Sequence, residues 1–208
     1  MKNLIIIGAG GFAKSIISSI DREKINLIGF IDTYKQGEHQ GYPILANSIE
    51  KIKNANDFVY FIGIGEPKYR WLFYQLLISK DLEMINIIDP SALIDKNVIL
   101  GSGIYIGKMS IVNSDTKISD AVVVNTRALI EHGNILGCCS NISTNSVLNG
   151  DIHVGKRTFI GSCSVVNGQL KIGCDSIIGS GSVVIRDVPD NVVVAGSPTR
   201  FIRENNND

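Results

Sequence analysis

The chain of 208 residues has no charge of one sign in excess, since twenty Lys and Arg stand against twenty Asp and Glu. With no basic field, electrostatically driven binding of nucleic acid or of an anionic membrane surface is disfavoured. No apolar run approaches the ~20 residues of a membrane-spanning helix. Cysteine is scarce: Cys138 and Cys139 are adjacent, Cys163 and Cys174 stand alone, and no C-x-x-C pair points to zinc. Reduced thiols and a cytoplasmic location are expected. With three histidines, of which His39 lies far from the other two, a three-histidine zinc centre is disfavoured and no metal is expected. Five prolines and 7% aromatics do not describe a collagen-like or disordered chain. What is abundant is glycine, at 21 residues, within a composition that is 44% apolar. The stretch from Leu4 to Phe12 behind Lys2 runs into a glycine-rich turn and a charged, helical stretch without a cleavage signature, so it reads as a buried strand rather than a leader.

The first 89 residues alternate short apolar runs with helical stretches, the pattern of consecutive βαβ units. Leu4 to Ile7 is a strand, Gly8 to Gly11 a turn, and Ala13 to Ile20 a helix with Ile16, Ile17 and Ile20 on one face. Asn26 to Ile31 is a second strand ended by Asp32, and a polar segment containing Gly37 and Gly41 follows. Phe58 to Ile62 is a third strand, Pro67 opens a helix through Trp71, Leu72, Leu76 and Leu77, and Met84 to Ile88 is a fourth strand. These units predict a small Rossmann-like domain, a parallel sheet flanked by helices, over residues 1–89.

From Ile94 the period changes. Every sixth residue from Ile94 to Val184 is aliphatic, sixteen positions in succession. Four residues after each stands a small or apolar residue, with Asn134 the clear exception. A six-residue period matches the hexapeptide β-helix, in which three hexads make one triangular coil of eighteen residues. A parallel β-helix is therefore expected over 90–208, its aliphatic residues pointing inward and its corners turned by Gly, Asn and Asp at positive φ. Ile99, Ile111, Val123 and Val147 are expected to face outward and to drive self-association.

Residues i and i+18 of such a helix are neighbours about 4.8 Å apart, so the sequence reads as surface columns. One column is Lys96, Ser114, His132, Gly150, Gly168, Arg186, which sets an outward imidazole beside two bare glycines. The glycines predict a shallow channel in which a linear ligand lies against backbone, and His132 is the candidate for proton transfer near neutral pH. A second column, Thr126, Thr144, Ser162, Ser180, is a row of small hydroxyls. His153 has no evident polar partner and reads as a solvated surface residue.

The N-terminal half carries Gly8-x-Gly10-x-x-Ala13 after a strand, with Asp32 at the end of the next, 22 residues past Gly10. This pattern resembles the dinucleotide fingerprint, in which a helix N-terminus receives a pyrophosphate and the acid a ribose hydroxyl. A domain of about 89 residues is short for a dinucleotide and suits a nucleotide diphosphate better. Glycines needed only for tight strand-to-helix packing would leave the same trace.

Ile7-Gly8-Ala9-Gly10-Gly11-Phe12-Ala13-Lys14, the Ile64-Gly65 turn with Arg70 after it, Ile130-Glu131-His132 and the closing Ala195-Gly196-Ser197-Pro198 resemble landmarks of the bacterial nucleotide-sugar acetyltransferases of the PglD and NeuD type. The resemblance implies a left-handed β-helix that forms a homotrimer, acetyl-coenzyme A between neighbouring helices, and an N-terminal domain that holds the nucleotide sugar. It places Gly10, Gly11, Phe12, Asp32, Thr33 and Gly65 at nucleotide-sugar positions, His132 at the general base, and Asn141, Gly150, Ser162 and Ser180 at coenzyme A positions. The implied reaction is N-acetylation of a dTDP- or UDP-linked 4-amino-4,6-dideoxy sugar for a surface polysaccharide such as O-antigen.

The chain departs from the family at four places. Gly133 stands where an acidic residue commonly follows the catalytic His, and Glu131 is the alternative helper. Asn141 stands for a His near coenzyme A, Phe12 for a His in the glycine turn, and Asp89 for a His before Ser-Ala at the junction. Competing readings are O-acetylation of sialic acid or a similar sugar, an NAD-binding protein whose β-helix is an oligomerisation scaffold, and an inactive scaffold.

Overall fold

The computed structural model describes residues 1–205, so the last three positions of the 90–208 segment lie outside the described residues. Strand β1 (Lys2–Ile7) leads through the glycine turn into α1 (Gly11–Ser19), which starts two residues before the sequence expectation. Then come β2 (Ile25–Ile31), β3 (Glu38–His39), β4 (Tyr42–Ala46), β5 (Val59–Ile62) and α2 (Pro67–Ser79), the last with proline in its first turn. The sheet order is β3-β4-β2-β1-β5, parallel throughout except for the β3–β4 hairpin. β1 is buried on both faces, as a central parallel strand must be. Leu4 and Ile6 pack with Ala13 and Ile16 of α1, while Ile5 and Ile7 pack on the other side with Leu77 of α2.

The segment around Gly37 and Gly41 is more than the polar connection expected from sequence. Gln40 and Gly41 both take positive φ, +52° and +78°, the conformation of a two-residue hairpin turn, and they return the chain as β4 along the edge of β2. Gly29 permits this approach, because a Cβ there would overlap the Pro43 carbonyl. The strand expected over Met84 to Ile88 is divided. Met84 bridges Tyr60, whereas Ile87–Ile88 pairs with Tyr105–Ile106 and is the first rung of the second architecture. The hexad period explains this, since Ile88 lies six residues before Ile94 and is in phase with it.

That second architecture is the left-handed parallel β-helix. Two-residue strands stack eighteen residues apart into three parallel sheets, for example Leu129↔Val147, Ile135↔His153 and Asn141↔Phe159. The aliphatic ladder, including Ile106, Ile130, Leu148, Ile160 and Ile178, is fully buried in the prism. The corner glycines require a correction. Positive φ recurs every six residues from Gly103 to Gly181; Gly, Asn or Asp bear it at half of these corners, as expected, and the other half fall to residues such as Met109, Arg127, Cys139, Arg157 and Cys163, so glycine itself is a minority there. Gly107, Gly137, Gly155, Gly161, Gly173 and Gly179 stand elsewhere, directly after an inward aliphatic residue, and none has positive φ. A Cβ at Gly161 would come within 2.5 Å of the Ser180 nitrogen, and one at Gly137 within 2.7 Å of the Lys156 nitrogen. Close approach of successive coils, not left-handed backbone, selects these glycines.

The N-terminal domain covers one face of the prism, and this corrects the expectation that Val123 faces outward. Val123 and Tyr105 are buried in the same cluster as Ala13, Ile16 and Ile87. Ile99 is 60% exposed, as its outward position implies, and Leu93 joins it at 64%. Among the described residues no helix is long and apolar enough to cross a membrane.

Candidate active site

Two features stand apart on the surface. The first is an open cavity of about 630 Å³ at the carboxyl ends of β1, β2 and β5, where the α1 N-terminus begins. Gly10, Gly11, Phe12, Asp32, Thr33 and Gly65, the six residues singled out for a nucleotide sugar, all line it, with Glu66, Tyr69 and Phe73 opposite. The glycines divide by cause. Gly8 has φ +96° and its Cβ would lie 2.8 Å from Ile64 Cγ1, so packing alone demands glycine there. A Cβ on Gly10 or Gly11 would meet nothing within 4 Å, so the protein's own packing does not demand those two. They leave the α1 backbone N–H groups accessible to an anion from the cavity side.

Asp32 closes this turn. Its Oδ2 accepts from the Ala9 N–H at 2.8 Å, and its Oδ1 accepts from the N–H groups of Tyr34 at 3.0 Å and Lys35 at 2.9 Å. Burial pushes the carboxyl up, but these three donors outweigh it and hold Asp32 below the usual carboxylate range. The Lys35 ammonium donates to the Ala9 carbonyl at 2.5 Å and brings a cation to the same turn.

The second feature is one corner of the prism. His132 projects there with its side chain 64% exposed. Directly below, a Cβ on Gly150 would sit 2.6 Å from the imidazole, and one on Gly168 would sit 2.9 Å from the Gly150 carbonyl. The bare strip inferred from the column is therefore real, and it is roofed by the ring. Ser114 N–H in this column is taken by Asp95 Oδ2 at 3.0 Å, whereas the Gly150 N–H has no acceptor among the described residues. Glu131 Oε2 and Asp151 Oδ2 flank the ring, each 3.9 Å from a ring nitrogen.

The residues assigned to coenzyme A do not share this corner. Thr144, Ser162 and Ser180 follow the strands of a different sheet, that of Asn141–Ile142, Phe159–Ile160 and Ile177–Ile178, and so mark another corner of the triangle. Asn141 is buried, 4% exposed, with its amide donating to Ser143 Oγ at 3.0 Å. Within one chain the structure unites Gly150 with His132 and leaves Ser162 and Ser180 apart.

The structure gives Arg70, Asp89 and His39 surroundings that the sequence does not reveal. Arg70, a landmark by resemblance, is fully buried between the cavity and the prism and donates to five carbonyls. Asp89 accepts from Ser19 Oγ at 2.7 Å and Ser91 Oγ at 2.6 Å, tying the end of α1 to the first coil. His39 lies edge-on to Phe30, and its buried Nε2 has no hydrogen-bond partner among the described residues. Burial, then the Lys35 cation, push its imidazole below the ordinary value. No periodicity marks such residues, because their partners are distant in sequence.

Residues 3–77 match the model of the PglD N-terminal domain. A mutant of perosamine N-acetyltransferase from Caulobacter crescentus, solved with CoA and GDP-perosamine, is 28% identical with a TM-score of 0.87, over 98% of each chain. The acetyltransferase domain of PglB from Neisseria gonorrhoeae is 25% identical with a TM-score of 0.93, over 97% of this chain and all of that one. The uncharacterized protein L142 of Acanthamoeba polyphaga mimivirus is 30% identical over 119 residues; the match covers 57% of this chain and spans about a quarter (24%) of that curated protein's length.

Proposed function

From a PglD-type N-terminal domain joined to a left-handed hexapeptide β-helix, we propose an acetyl-coenzyme A dependent N-acetyltransferase acting on a nucleotide-linked 4-amino-4,6-dideoxy sugar. The observation that carries this reading is His132 poised over the bare Gly150 and Gly168 strip, beside a free backbone N–H. Residues 1–89 hold the nucleotide at the glycine turn, and residues 90–208 carry out acyl transfer. The product enters a surface polysaccharide such as O-antigen, and the reaction takes place in the cytoplasm.

The strip fits a thioester arm because any side chain at Gly150 would displace the imidazole. His132 accepts the proton that the sugar amine loses as its nitrogen bonds to the acetyl carbon. The Gly150 N–H donates to the oxygen that gains charge in the tetrahedral intermediate. As the carbon–sulfur bond breaks, His132 returns the proton to the departing thiolate, so the imidazole ends neutral and the products are the sugar acetamide and a free thiol. Holding both reactants in place supplies much of the remaining acceleration. Ser162 and Ser180 reach this site from a neighbouring copy in a homotrimer, which accounts for their position on another corner.

Gly150→Ala is expected to lower kcat/KM by about 10²-fold, because displacing the ring by an ångström misaligns base and thioester. Steady-state thiol release on folded variant protein checks this. The reading itself is tested by thiol release from acetyl-coenzyme A with UDP-, dTDP- and GDP-linked 4-amino sugars, and with free sialic acid. Turnover with at least one nucleotide-linked amine is expected. Turnover with sialic acid alone would replace the reading by O-acetylation, and binding of NAD without acetyl-coenzyme A would replace it by the scaffold.

A further inference from the structure

The position after His132 has no side chain, and the space beside it is filled from the next coil. Gly133, at φ +69°, belongs to the corner column Asp115, Gly133, Asp151, Gln169. A Cβ on Gly133 would overlap Asp151 Oδ1. The Asp151 N–H donates to the His132 carbonyl at 2.9 Å, and its Oδ2 lies 3.9 Å from His132 Nε2. Glu131 stands at the same distance on the Nδ1 side, but its Oε2 accepts from Asn113 Nδ2 at 2.9 Å, which ties it to the preceding coil. Among the described residues the Asp151 carboxylate has no hydrogen-bond donor of its own.

We propose that Asp151 is the positioning carboxylate of His132, and that residue 133 is glycine because this carboxylate occupies the space a side chain there would need. A small turn of the ring brings Nε2–H onto Asp151, which leaves the Nδ1 lone pair for the sugar amine and stabilises the imidazolium formed when the proton arrives. The carboxylate that relatives place directly after the histidine is thus supplied one coil along the same corner. This inference rests on the acyl-transfer reading, but one arm of its test requires no turnover.

Asp151→Asn keeps the shape and removes the charge. It is expected to lower kcat about tenfold, the effect of one charge near 4 Å at a solvated site, with KM for acetyl-coenzyme A and the thermal midpoint unchanged. Returning the carboxylate to the other position, in the double variant Asp151→Gly with Gly133→Asp, is expected to restore most of that loss. Aspartate tolerates the backbone there, since Asp115 and Asp175 occupy equivalent corners at φ +63° and +54°. A variant Asp151→Asn with wild-type kcat, or a double variant no better than Asp151→Gly alone, would overturn the proposal.

The second arm is the ¹H–¹⁵N spectrum of the imidazoles, tractable with three histidines and assignable with His132→Ala. The Nε2–H tautomer of His132 is expected to predominate in the wild type and to lose that preference in Asp151→Asn. Identical spectra would also overturn the proposal. A wild type that turns over none of the sugars, yet shows the spectral change, would refute the reaction and leave the Asp151 contact standing.

Discussion

Replacing His132 with alanine is expected to lower kcat by about 10²–10⁴-fold, the range supplied by a positioned general base. Acetyl-coenzyme A binding should persist, because the glycine strip beneath the ring stays open when the ring is removed. Stability should change by no more than about 0.5 kcal/mol, since the side chain is 64% exposed. The corner itself is held by another residue. Asn134, the exception to the interior pattern, is fully buried and donates to the carbonyls of Glu131 at 2.5 Å and Asn149 at 2.9 Å. Its Oδ1 accepts from the Ile152 N–H at 3.2 Å, so the backbone under His132 keeps its shape in the variant. Paired measurements of thiol release and acetyl-coenzyme A titration check the prediction, and a loss of only a few-fold would remove His132 from the role of base.

The second large effect concerns Arg70 and is one of stability. This guanidinium is 1% exposed and makes no ion pair among the described residues, Glu66 acting on it only through space. Its donors instead satisfy carbonyls of Ile64 and Gly65 on the cavity lip, at 2.8 Å, and of Ala121, Cys139 and Ser140 on the prism, at 2.8, 2.9 and 3.1 Å. Burial lowers its pKa to about 10, which leaves it charged at neutral pH. Arg70→Met fills a similar volume but leaves the buried carbonyls of Ala121 and Cys139 without a donor, takes one from the part-buried Ile64 and Gly65 carbonyls, and leaves Ser140 only the Val123 N–H; stranding a buried polar group costs about 1–3 kcal/mol each before relaxation. A net loss of about 3–5 kcal/mol is expected, near 10 °C in the thermal midpoint of a chain this size. Arg70→Lys should recover little, because one ammonium cannot span carbonyls that the planar fork reaches in two directions. Sugar binding should weaken with it, since Ile64 and Gly65 line the cavity.

Local and repeated constraints were the readable ones. The hexad ladder from Ile94 to Val184 is a demand for one aliphatic residue per prism side, repeated until coincidence is excluded. Because the coil length follows from it, the His132, Gly150, Gly168 column is legible in the spacing alone. The glycine turn was legible for the same reason, its residues being adjacent in the chain and their cavity following from strand ends. The hairpin at Gln40 and Gly41 escaped because its signal is two positive φ angles in a polar stretch, one of them borne by glutamine. The column Asp115, Gly133, Asp151, Gln169 was also open to reading, but nothing in it announces that a carboxylate fills the place of a missing side chain.

The sequence by itself determined two architectures, their order, the inward ladder and the histidine on a bare corner, because each follows from spacing along the chain. Only the tertiary structure decided the rest. It covered Val123 with the N-terminal domain, aimed the Arg70 fork into both halves, and put Asp151 beside His132. The physical reason differs between them: Val123 and Arg70 depend on which surfaces meet after the coils have stacked, and a periodic pattern specifies the stack without what docks against it, whereas the Asp151 contact depends on side-chain rotamers within the stack that the period leaves open.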